Sequence, residues 1–593
     1  MMKNLKGKTL MSWTRMRSAA ALAVVGGLVL AGCGSSSDDG GSSSTTKSSF
    51  NAAVGKIYDP STKKGGILKF ADEGQQDSVD PGDTYYGYSW NFARLYGRGL
   101  TMFTPAPGKA SNELTGDLAT GLGKSTDGAK TWTYTLRKGA KFEDGSEITS
   151  ADVKYGIERS TDKDVFPDGP TYFDSLLNWP KGWKGAYKTP DMNTDSAIST
   201  PDAQTIVFHF KAAFSDMDYL GTTPQSFPVP KAKDTGKNYK NHVVSSGPYM
   251  FTDYKDGKSF SLRRNKNWSK SVDPNRKALP DGYDVSLNVN SDDIDNRVAS
   301  GDLDVAYATV GVAQAMRGRA LTDPSLKARL DNPNAARLQY TSIPPTVKPF
   351  DNIHCRLAIE YGMDRTAYVN AYGGKFAGGD PATTTLIPVI PGYKKFDLYE
   401  TDGDKGDLTK AKDELTKCGQ PNGFSTNMAF RIERPLEKAT AEAFQQQLAK
   451  IGIKITPKGF PKADYFSTYA GNPPYVKSHD LGLIVNSWGA DWNDGYGMLS
   501  QIIDGRVIRD TGGSSNASIN IPEVNTLIDQ SLQETDTAKR EELYGEMDKK
   551  VMEQAVIYPG VYAKLLLMRS KNATNVFIND NYGGYDFLSM GHK

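Results

Sequence analysis

Histidine and carboxylate side chains are the groups of this chain that could activate water or hold a metal ion. Only five histidines occur among the 593 residues, and these are His209, His242, His354, His479 and His592. None pairs with another at the helical spacing that presents two zinc ligands, and no HExxH occurs. Carboxylate pairs such as Asp491 and Asp494 leave a glycosidase-like dyad open, because spacing alone does not identify one. The sequence therefore predicts no catalytic residue, no metal site and no cofactor.

The first 33 residues have the order of an export signal. Basic residues precede an apolar run at 19–30, and no acidic residue occurs before Cys33. The run is shorter than the roughly 20 residues of a membrane-spanning helix, which is typical of a secretory signal peptide. The four residues 30–33, Leu-Ala-Gly-Cys, resemble the lipobox of bacterial lipoproteins. That resemblance implies cleavage after residue 32 and acylation of Cys33; the alternative is an ordinary secretory signal followed by a chance cysteine.

The segment 33–64 predicts a flexible tether. From 34 to 49 it consists almost entirely of Gly, Ser, Thr and Asp, which cannot bury apolar surface. Acyl chains on such a tether would hold a folded body at a membrane surface. We therefore expect a cell-membrane protein, lipid-anchored on the extracellular face, whose folded part begins near residue 65.

Length and charge limit the classes of partner. The formal charge of +2 falls to near −3 when the five basic residues of the predicted signal peptide are removed. Nucleic-acid-binding domains usually carry a basic stripe, so we expect no nucleic-acid partner. About 560 residues remain, enough for several domains or lobes.

Two cysteines remain after Cys33, and both lie in segments with a helical pattern. In an exported, oxidising setting, Cys355 and Cys418 are expected to form a disulfide. The alternative is a pair of separate buried thiols.

Local patterns predict several elements before any tertiary contact is considered. Bulky residues alternate with threonine at 131–136, which indicates a strand. Thr149 and Asp152 have the spacing of a capping box at a helix start. A helix is expected at 291–300, ended by Gly301, and a single long helix at 524–555. Alternating helices and strands from about 351 onward indicate an α/β fold.

Several motifs, in order along the chain, resemble those of the family 5 extracellular solute-binding proteins, the peptide and nickel receptors of ABC importers. They are the segment 127–153 with Trp132-Thr133-Tyr134 and Phe142-Glu143-Asp144-Gly145, the hairpin Ser246-Gly247-Pro248-Tyr249, Arg264-Asn265-Lys266-Asn267-Trp268, Ser300-Gly301-Asp302-Leu303-Asp304-Val305, and 356–365 ending in Met363-Asp364-Arg365. The resemblance covers about residue 65 to the end. A lipid anchor fits a Gram-positive cell, which has no periplasm to retain a soluble receptor.

The resemblance implies an α/β fold, a two-lobed clamp of the periplasmic-binding-protein class II type. Lobe I would combine 65–100, 205–310 and 556–593, with an extra subdomain at 101–204, and lobe II would span 311–555. Two crossing strands near 305–312 and 555–560 would form the hinge for domain closure.

The resemblance also implies the ligand contacts. In peptide receptors of the family, the Asp of a Trp-x-x-Asp motif pairs with the free α-amine of the peptide; Trp488 and Asp491 have those positions here. The backbone just before it, with Ser487 and Gly489, would pair with the peptide as an added strand. On the facing lobe, Tyr86 and Tyr88 would form walls, although core packing explains them nearly as well. Gly495 departs from the family pattern, which often has proline there.

The expected function is that of a monomeric receptor that captures extracellular oligopeptides and delivers them to ABC permease and ATPase subunits, without catalysis. Two alternatives stay open: the same clamp binding an oligosaccharide or a metal chelate, and a secreted hydrolase.

Overall fold

The computed structural model describes residues 48–593, apart from Thr535 and the side chains of Lys375 and Phe376. The predicted signal peptide, the lipidation site Cys33 and the first part of the predicted tether lie outside the described residues, so those predictions stay predictions. Within the described part, no helix is both long enough and apolar enough to span a membrane.

The strands are, in chain order, β1 (Ile67–Ala71), β2 (Thr101–Phe103), β3 (Leu114–Gly116), β4 (Lys124–Thr126), β5 (Thr131–Thr135), β6 (Ile198–Asp202), β7 (Thr205–His209), β8 (Tyr249–Lys255), β9 (Ser259–Arg264), β10 (Gly282–Ser286), β11 (Val305–Ala306), β12 (Leu330–Asp331), β13 (Asn334–Ser342), β14 (Gly379–Pro381), β15 (Ser425–Arg431), β16 (Lys454–Phe460), β17 (Leu481–Gly489), β18 (Ile557–Lys564), β19 (Leu567–Met568), β20 (Ala573–Thr574), β21 (Ile578–Asn579), β22 (Gly584–Tyr585) and β23 (Gly591–His592).

The α-helices are, in the same order, α1 (Gly87–Ala93), α2 (Ser150–Ser160), α3 (Tyr172–Leu176), α4 (Met217–Leu220), α5 (Ser291–Ser300), α6 (Gln314–Thr322), α7 (Pro324–Lys327), α8 (Ile353–Gly362), α9 (Arg365–Ala371), α10 (Gly374–Ala377), α11 (Leu408–Lys417), α12 (Pro435–Leu448), α13 (Pro473–Ser478), α14 (Gly495–Ile503), α15 (Pro522–Gln533) and α16 (Thr537–Glu553).

Local sequence signals explain several of these elements. The alternation at 131–136 forms β5, which buries Trp132 and Tyr134 on one face. The capping box starts α2: the backbone N–H of Thr149 donates to Asp152 Oδ2 at 2.8 Å. Helix α5 ends at Gly301, whose φ of 98° lies in the left-handed region that favours glycine. These three predictions are confirmed.

Three larger sheets organise the body. A five-stranded mixed sheet with the order β11-β1-β10-β9-β8 forms the centre of lobe I, and a six-stranded mixed sheet with the order β14-β18-β13-β17-β15-β16 forms the centre of lobe II. A four-stranded antiparallel sheet, β4-β5-β7-β6, forms the centre of the extra subdomain.

Two predicted boundaries need correction. Strand β18 lies in the lobe II sheet, where it pairs with β13 and β14, although 556–593 was assigned to lobe I. Strand β7 lies in the subdomain sheet although the subdomain was expected to end at residue 204. The partners of β18 are more than 170 residues away, and β7 forms a hairpin with β6 that crosses the expected boundary, so boundaries carried over from the family resemblance missed both pairings.

The chain passes twice between the two large sheets, at 307–333 and again after β18. Short strands in these two passages pair with each other, since Leu330 lies opposite Met568 and Asp331 opposite Leu567. Arg569 adds a fully buried ion pair with Asp331. The two connections between the lobes are therefore joined at β12 and β19, and the predicted hinge at 305–312 and 555–560 stays a prediction.

The segment 48–61, which we call the strap, packs across this crossing, so the described end of the predicted tether is ordered. The Asn51 backbone N–H donates to Leu330 O at 2.9 Å, and that of Ala53 donates to Asp331 Oδ1 at 2.9 Å. On the other passage, Arg569 Nη2 donates to Ser49 O at 3.0 Å, and further along the chain Tyr58 N–H donates to Val576 O at 2.7 Å. Ala52, Ala53 and Tyr58 are buried, and this apolar burial explains why the folded body begins before residue 65.

Cys355 and Cys418 form a disulfide with Cα atoms 5.3 Å apart, which confirms the predicted pair. It joins α8 to the residue that follows α11 within lobe II.

The expected single helix at 524–555 is instead two helices, α15 and α16, and the side chain of Asp536 caps the second by accepting from Lys539 N–H.

Candidate ligand-binding site

A cavity of about 670 Å³ lies between lobe I, lobe II and the subdomain. Its volume is within the range of small-molecule and cofactor sites. All of the residues predicted to bind ligand line it: Tyr86, Tyr88, Ser487, Trp488, Gly489 and Asp491. Their role as ligand contacts stays a prediction, but the fold brings them together.

Asp491 lies in the loop between β17 and α14, where its backbone N–H donates to Gly497 O at 3.0 Å. Its Oδ2 accepts hydrogen bonds from the hydroxyls of Tyr85, at 2.8 Å, and Tyr172, at 2.6 Å. Burial raises the pKa of the Asp491 carboxyl to about 7, while the two hydroxyls and Arg337 oppose that effect. Among the described residues, no basic side chain forms a salt bridge with Asp491, so the carboxylate is held only by neutral donors.

Trp488 positions the tyrosine that contacts Asp491. The indole N–H of Trp488 donates to Met498 O at 2.7 Å, which fixes the ring against α14. Tyr85 meets this ring edge-on, with centroids 5.8 Å apart, and stacks on Trp90 at 5.5 Å. Asp77 holds the backbone before α1 by accepting from the N–H groups of Tyr85 and Tyr86. The Tyr85 hydroxyl is therefore oriented from both lobes.

The end of β17 offers an unpaired edge to the cavity. On one side, 484–489 pairs with β13, and Arg337 lies opposite Gly489. On the other side, the pairing with β15 reaches only Ile484, and within the described residues no strand continues it along 485–489. The Tyr465 hydroxyl donates to Val485 O at 3.0 Å, and of this edge only 487–489 line the cavity. An extended ligand could add as a strand along 487–489, since an unpaired edge presents N–H and C=O groups.

Tyr86 and Tyr88 form part of the lobe I wall. Their rings stack with centroids 5.4 Å apart. The Tyr86 hydroxyl donates to Lys462 O in lobe II at 3.1 Å, so this wall also connects the lobes. The Tyr88 ring is almost fully buried, and its hydroxyl has no hydrogen-bond partner among the described residues.

Three arginines form the lobe II side of the cavity, and their pairing differs. Arg431 is bound to Glu437, with Nε 3.0 Å from both carboxylate oxygens. Arg434 lies 3.9 Å from Glu73 Oε1 through its Nε. Arg337 forms no salt bridge within the described part of the chain.

Comparison with known protein families agrees with this geometry and with the sequence motifs. A family model described as bacterial extracellular solute-binding proteins, family 5 middle, matches residues 113–508. The chain belongs to this family. The resemblance stated from the sequence motifs is thereby confirmed, and so is the role of a solute-binding protein.

Several characterised proteins are similar to this solute-binding protein over most of their length. Heme-binding protein A of Haemophilus influenzae is 26% identical over 474 residues, covering 76% of this chain and 79% of its own. The glutathione-binding protein GsiB of Escherichia coli is 25% identical over 465 residues, covering 77% and 82%. Both alignments extend well beyond the segment that the family model matches.

Solved structures support the fold. The clavulanic acid biosynthesis oligopeptide binding protein 2 is 38% identical with a TM-score of 0.84, covering 92% of this chain and 99% of its own. DppA from Helicobacter pylori, in complex with the peptide STSA, has a TM-score of 0.71 at 21% identity, covering 90% and 99%. The two-lobed α/β clamp of the periplasmic-binding-protein type is confirmed.

Sequence reasoning missed three residues that line the solute-binding protein's cavity, Tyr85, Arg337 and Arg434, and also Tyr172, which donates to Asp491. Tyr85 is adjacent to the predicted Tyr86, so its omission reflects a choice among three neighbouring tyrosines. Tyr172 is 319 residues from its partner Asp491 and carries no local signal. Arg434 precedes Pro435, the first residue of α12. An arginine next to a helix start is a local signal by which Arg434 could have been proposed as a site residue.

Proposed function

We propose that this solute-binding protein captures peptides with a free amino terminus and delivers them to the permease and ATPase subunits of an ABC importer. The observation that carries the proposal is the carboxylate of Asp491, which borders the cavity and has two neutral hydroxyl donors but no cationic partner in the described part of the chain. A ligand ammonium would complete this site, because a buried carboxylate is stabilised most by an opposite charge.

The unpaired edge of β17 supports the same class of ligand. Backbone pairing along 487–489, the part of this edge that lines the cavity, would bind an extended peptide with little dependence on its side chains. Among the structural relatives, DppA from Helicobacter pylori holds the peptide STSA, and OppA from Haemophilus influenzae holds RPPGFSPFR. Glutathione, the ligand in the name of GsiB, is also a peptide.

We further propose that Cys33 carries lipid and holds the protein on the outer face of the cell membrane as a monomer. The lipobox-like residues 30–33 and the Gly/Ser-rich segment after them support the lipid anchor. The protein would carry out no reaction on its ligand, in keeping with a family of receptors.

Calorimetric titration with short peptides tests the proposal. A pool of tripeptides should bind, and the same pool with acetylated amino termini should bind at least about tenfold more weakly, because acetylation removes the ammonium. In Asp491→Ala the free pool should bind as weakly as the acetylated one. Asp168→Asn is the matched control: it removes a carboxylate from the same cavity and should keep the preference for free amines.

Equal binding of the two pools by the native protein would contradict the peptide proposal. The clamp would then bind another solute, of which heme and agropinic acid in its relatives are examples.

A further inference from the structure

Two apolar side chains of the strap lie outside the hydrophobic core. Val54 is 37% exposed and Ile57 is 36% exposed, whereas Ala52, Ala53 and Tyr58 in the same segment are buried. Folding of the strap therefore leaves apolar surface in water on its outer side. A contact that removed this surface from water would be favourable.

The backbone that carries these side chains is fixed on both sides. Val54 N–H donates to Asn51 O at 3.2 Å, and Asn575 N–H donates to Asp59 O at 2.9 Å. The side chain of Asn575 bonds the backbone of Ser61 twice, accepting from its N–H and donating to its O, each at 2.9 Å. A partner that contacts this segment would not first have to order it, which lowers the entropic cost of the contact.

Three lysines accompany the two apolar side chains. Lys56, Lys63 and Lys64 are exposed, and none of them forms a salt bridge with another described residue. Asp59 is the one acidic residue of 54–64, and it is already paired, since its Oδ2 lies 3.0 Å from Lys593 Nζ. The segment therefore carries unneutralised positive charge. We call the following five residues the basic face: Val54, Lys56, Ile57, Lys63 and Lys64.

The basic face lies near the point where the predicted tether joins the body. Val54 is six residues from Ser48, a chain distance of at most about 20 Å. Cys33 is 15 residues before Ser48, and a chain of that length spans at most about 50 Å. Lipid on Cys33 would thus keep the face at high effective concentration near a bilayer. No residue of the face lines the cavity, so a contact there leaves the cavity free for ligand.

We propose that the basic face rests on the anionic headgroups of the membrane surface. Lysines are attracted to negatively charged lipids, and apolar side chains among them enter the headgroup region. A soluble anion would satisfy the lysines but would leave Val54 and Ile57 in water, so a bilayer fits the whole face better. Three lysines hold a free protein only weakly, and the face therefore acts as a second attachment beside the lipid anchor. Its effect is to hold the body in one orientation on the membrane, which goes beyond the proposed function.

Lysine footprinting on vesicles tests the proposal. The mature chain, 33–593, is coupled through Cys33 to a maleimide lipid, because Cys33 is the one cysteine outside the disulfide. Coupling makes the test independent of whether cells acylate that residue. One set of vesicles contains phosphatidylcholine alone, and the other contains phosphatidylglycerol as a main component. An amine-reactive reagent modifies accessible lysines, and peptide mass spectrometry measures the extent at each position.

The reactivity of Lys56, Lys63 and Lys64 should be at least about fivefold lower on the anionic vesicles, because each lysine near such a surface favours contact about fivefold. High salt should restore the reactivity by screening the charges. In the double variant Val54→Ser with Ile57→Ser the protection should be weaker. The internal references should not change between the two vesicles; they are exposed lysines of lobe II on β16, at the edge of its sheet, and in α13: Lys454, Lys458 and Lys477.

A second measurement uses charge reversal in the uncoupled Cys33→Ser chain, sedimented with excess anionic vesicles. Replacing all three lysines of the basic face by glutamate should lower the bound fraction at least about tenfold. The matched control changes the net charge equally, through glutamate at 454, 458 and 477, and should lower binding less than about twofold. Both triple variants should bind the tripeptide pool as the native protein does, since their changes lie outside the cavity.

Three results would overturn the proposal. One is equal lysine reactivity on the two kinds of vesicle. Another is an equal loss of sedimentation in the two triple variants, which would mean that net charge alone drives binding. The third is protection by soluble inorganic polyphosphate as strong as that by vesicles, unchanged in Val54→Ser with Ile57→Ser, which would make the face a polyanion site. None of these results bears on peptide binding, which the titrations measure separately.

Discussion

Asp72 Oδ1 lies 2.6 Å from Lys462 Nζ, and both side chains are completely buried although the two residues are 390 positions apart. Asp72 directly follows β1 in lobe I, and Lys462 lies just after β16 in lobe II. Burial raises the pKa of Asp72 to about 7, against the attraction of Lys462. Because the two residues belong to different lobes, separation of the lobes would break the pair and expose both charges to water, so the pair would couple closure of the clamp to charge pairing.

Lys462→Met should disfavour the closed form, because it leaves the Asp72 carboxylate buried without its cation. Removing one member of a buried pair costs about 3–5 kcal/mol, and part of that cost should appear as weaker ligand binding. Small-angle X-ray scattering should show a larger radius of gyration for the variant. The control is Asp256→Asn, which breaks the exposed pair with Lys240 and should change neither quantity. An unchanged radius and affinity in Lys462→Met would rule out this coupling.

Ligand affinity should rise with pH up to about 7. The free carboxyl of Asp491 has a pKa of about 7, above its ordinary value, and a bound ammonium would lower it. At lower pH the carboxyl must lose a proton before it can pair, so binding weakens by up to tenfold per pH unit and releases a proton. Calorimetry in buffers of different ionisation enthalpy measures that release. Asp491→Asn should show no such release and no such slope.

Tyr172→Phe should move this pH dependence upward. The Tyr172 hydroxyl donates to Asp491 at 2.6 Å and favours the charged carboxylate, so its loss raises the Asp491 pKa further. The midpoint of the affinity profile should shift to higher pH. Tyr254→Phe removes a comparable hydrogen bond, from Tyr254 to Asp256, outside the cavity and should leave the midpoint in place. A midpoint that does not move in Tyr172→Phe would mean that this hydroxyl does not tune the carboxyl.

Loss of the disulfide should lower stability without changing ligand binding. The bond closes a loop of 63 residues, for which chain entropy gives about 4 kcal/mol. Cys355→Ala with Cys418→Ala should unfold at lower denaturant concentration, while the titrated affinity stays the same because neither residue lines the cavity. Peptide mapping without reduction should find the two peptides linked in the native protein; free thiols at both positions would be contrary evidence.

Cys33→Ala should release the protein from cells into the medium. Acylation of this cysteine is the only attachment that the proposal requires, and its loss would leave a protein without an anchor. Fractionation of cells that express each form measures the distribution. Ser35→Ala, a nearby change in the same polar segment, should stay with the membrane fraction. Membrane retention of Cys33→Ala would contradict the lipid anchor.

Short-range patterns predicted much of the fold, because the causes of those elements lie within a few residues. The alternation in β5, the capping box at Thr149 and the glycine after α5 are of this kind. The single helix expected at 524–555 was wrong at the point where Asp536 starts a new helix, although an Asp at an N-cap is itself a local signal. Family motifs, not periodicity, predicted the two lobes.

The candidate site was predicted only where motifs marked it. Asp491 and Trp488 came from a short motif, but the partners of Asp491 are Tyr85 and Tyr172, which are 406 and 319 residues away. Such contacts depend on how lobe I, lobe II and the subdomain pack. That Arg337 forms no salt bridge within the described residues is also a property of the folded cavity, since it is recognised only when the neighbours of Arg337 are known.

The strap has a mechanical consequence for a receptor that is proposed to be tethered. Its backbone hydrogen bonds to Leu330 and to the side chain of Arg569 attach it to both connections between the lobes. A load applied along the chain at residue 48 would therefore enter the body where the two connections between the lobes meet, so it would have only a short lever arm for rotating either lobe. Tension on the chain would do little work on opening or closing, and the two lobes would remain free to respond to ligand alone.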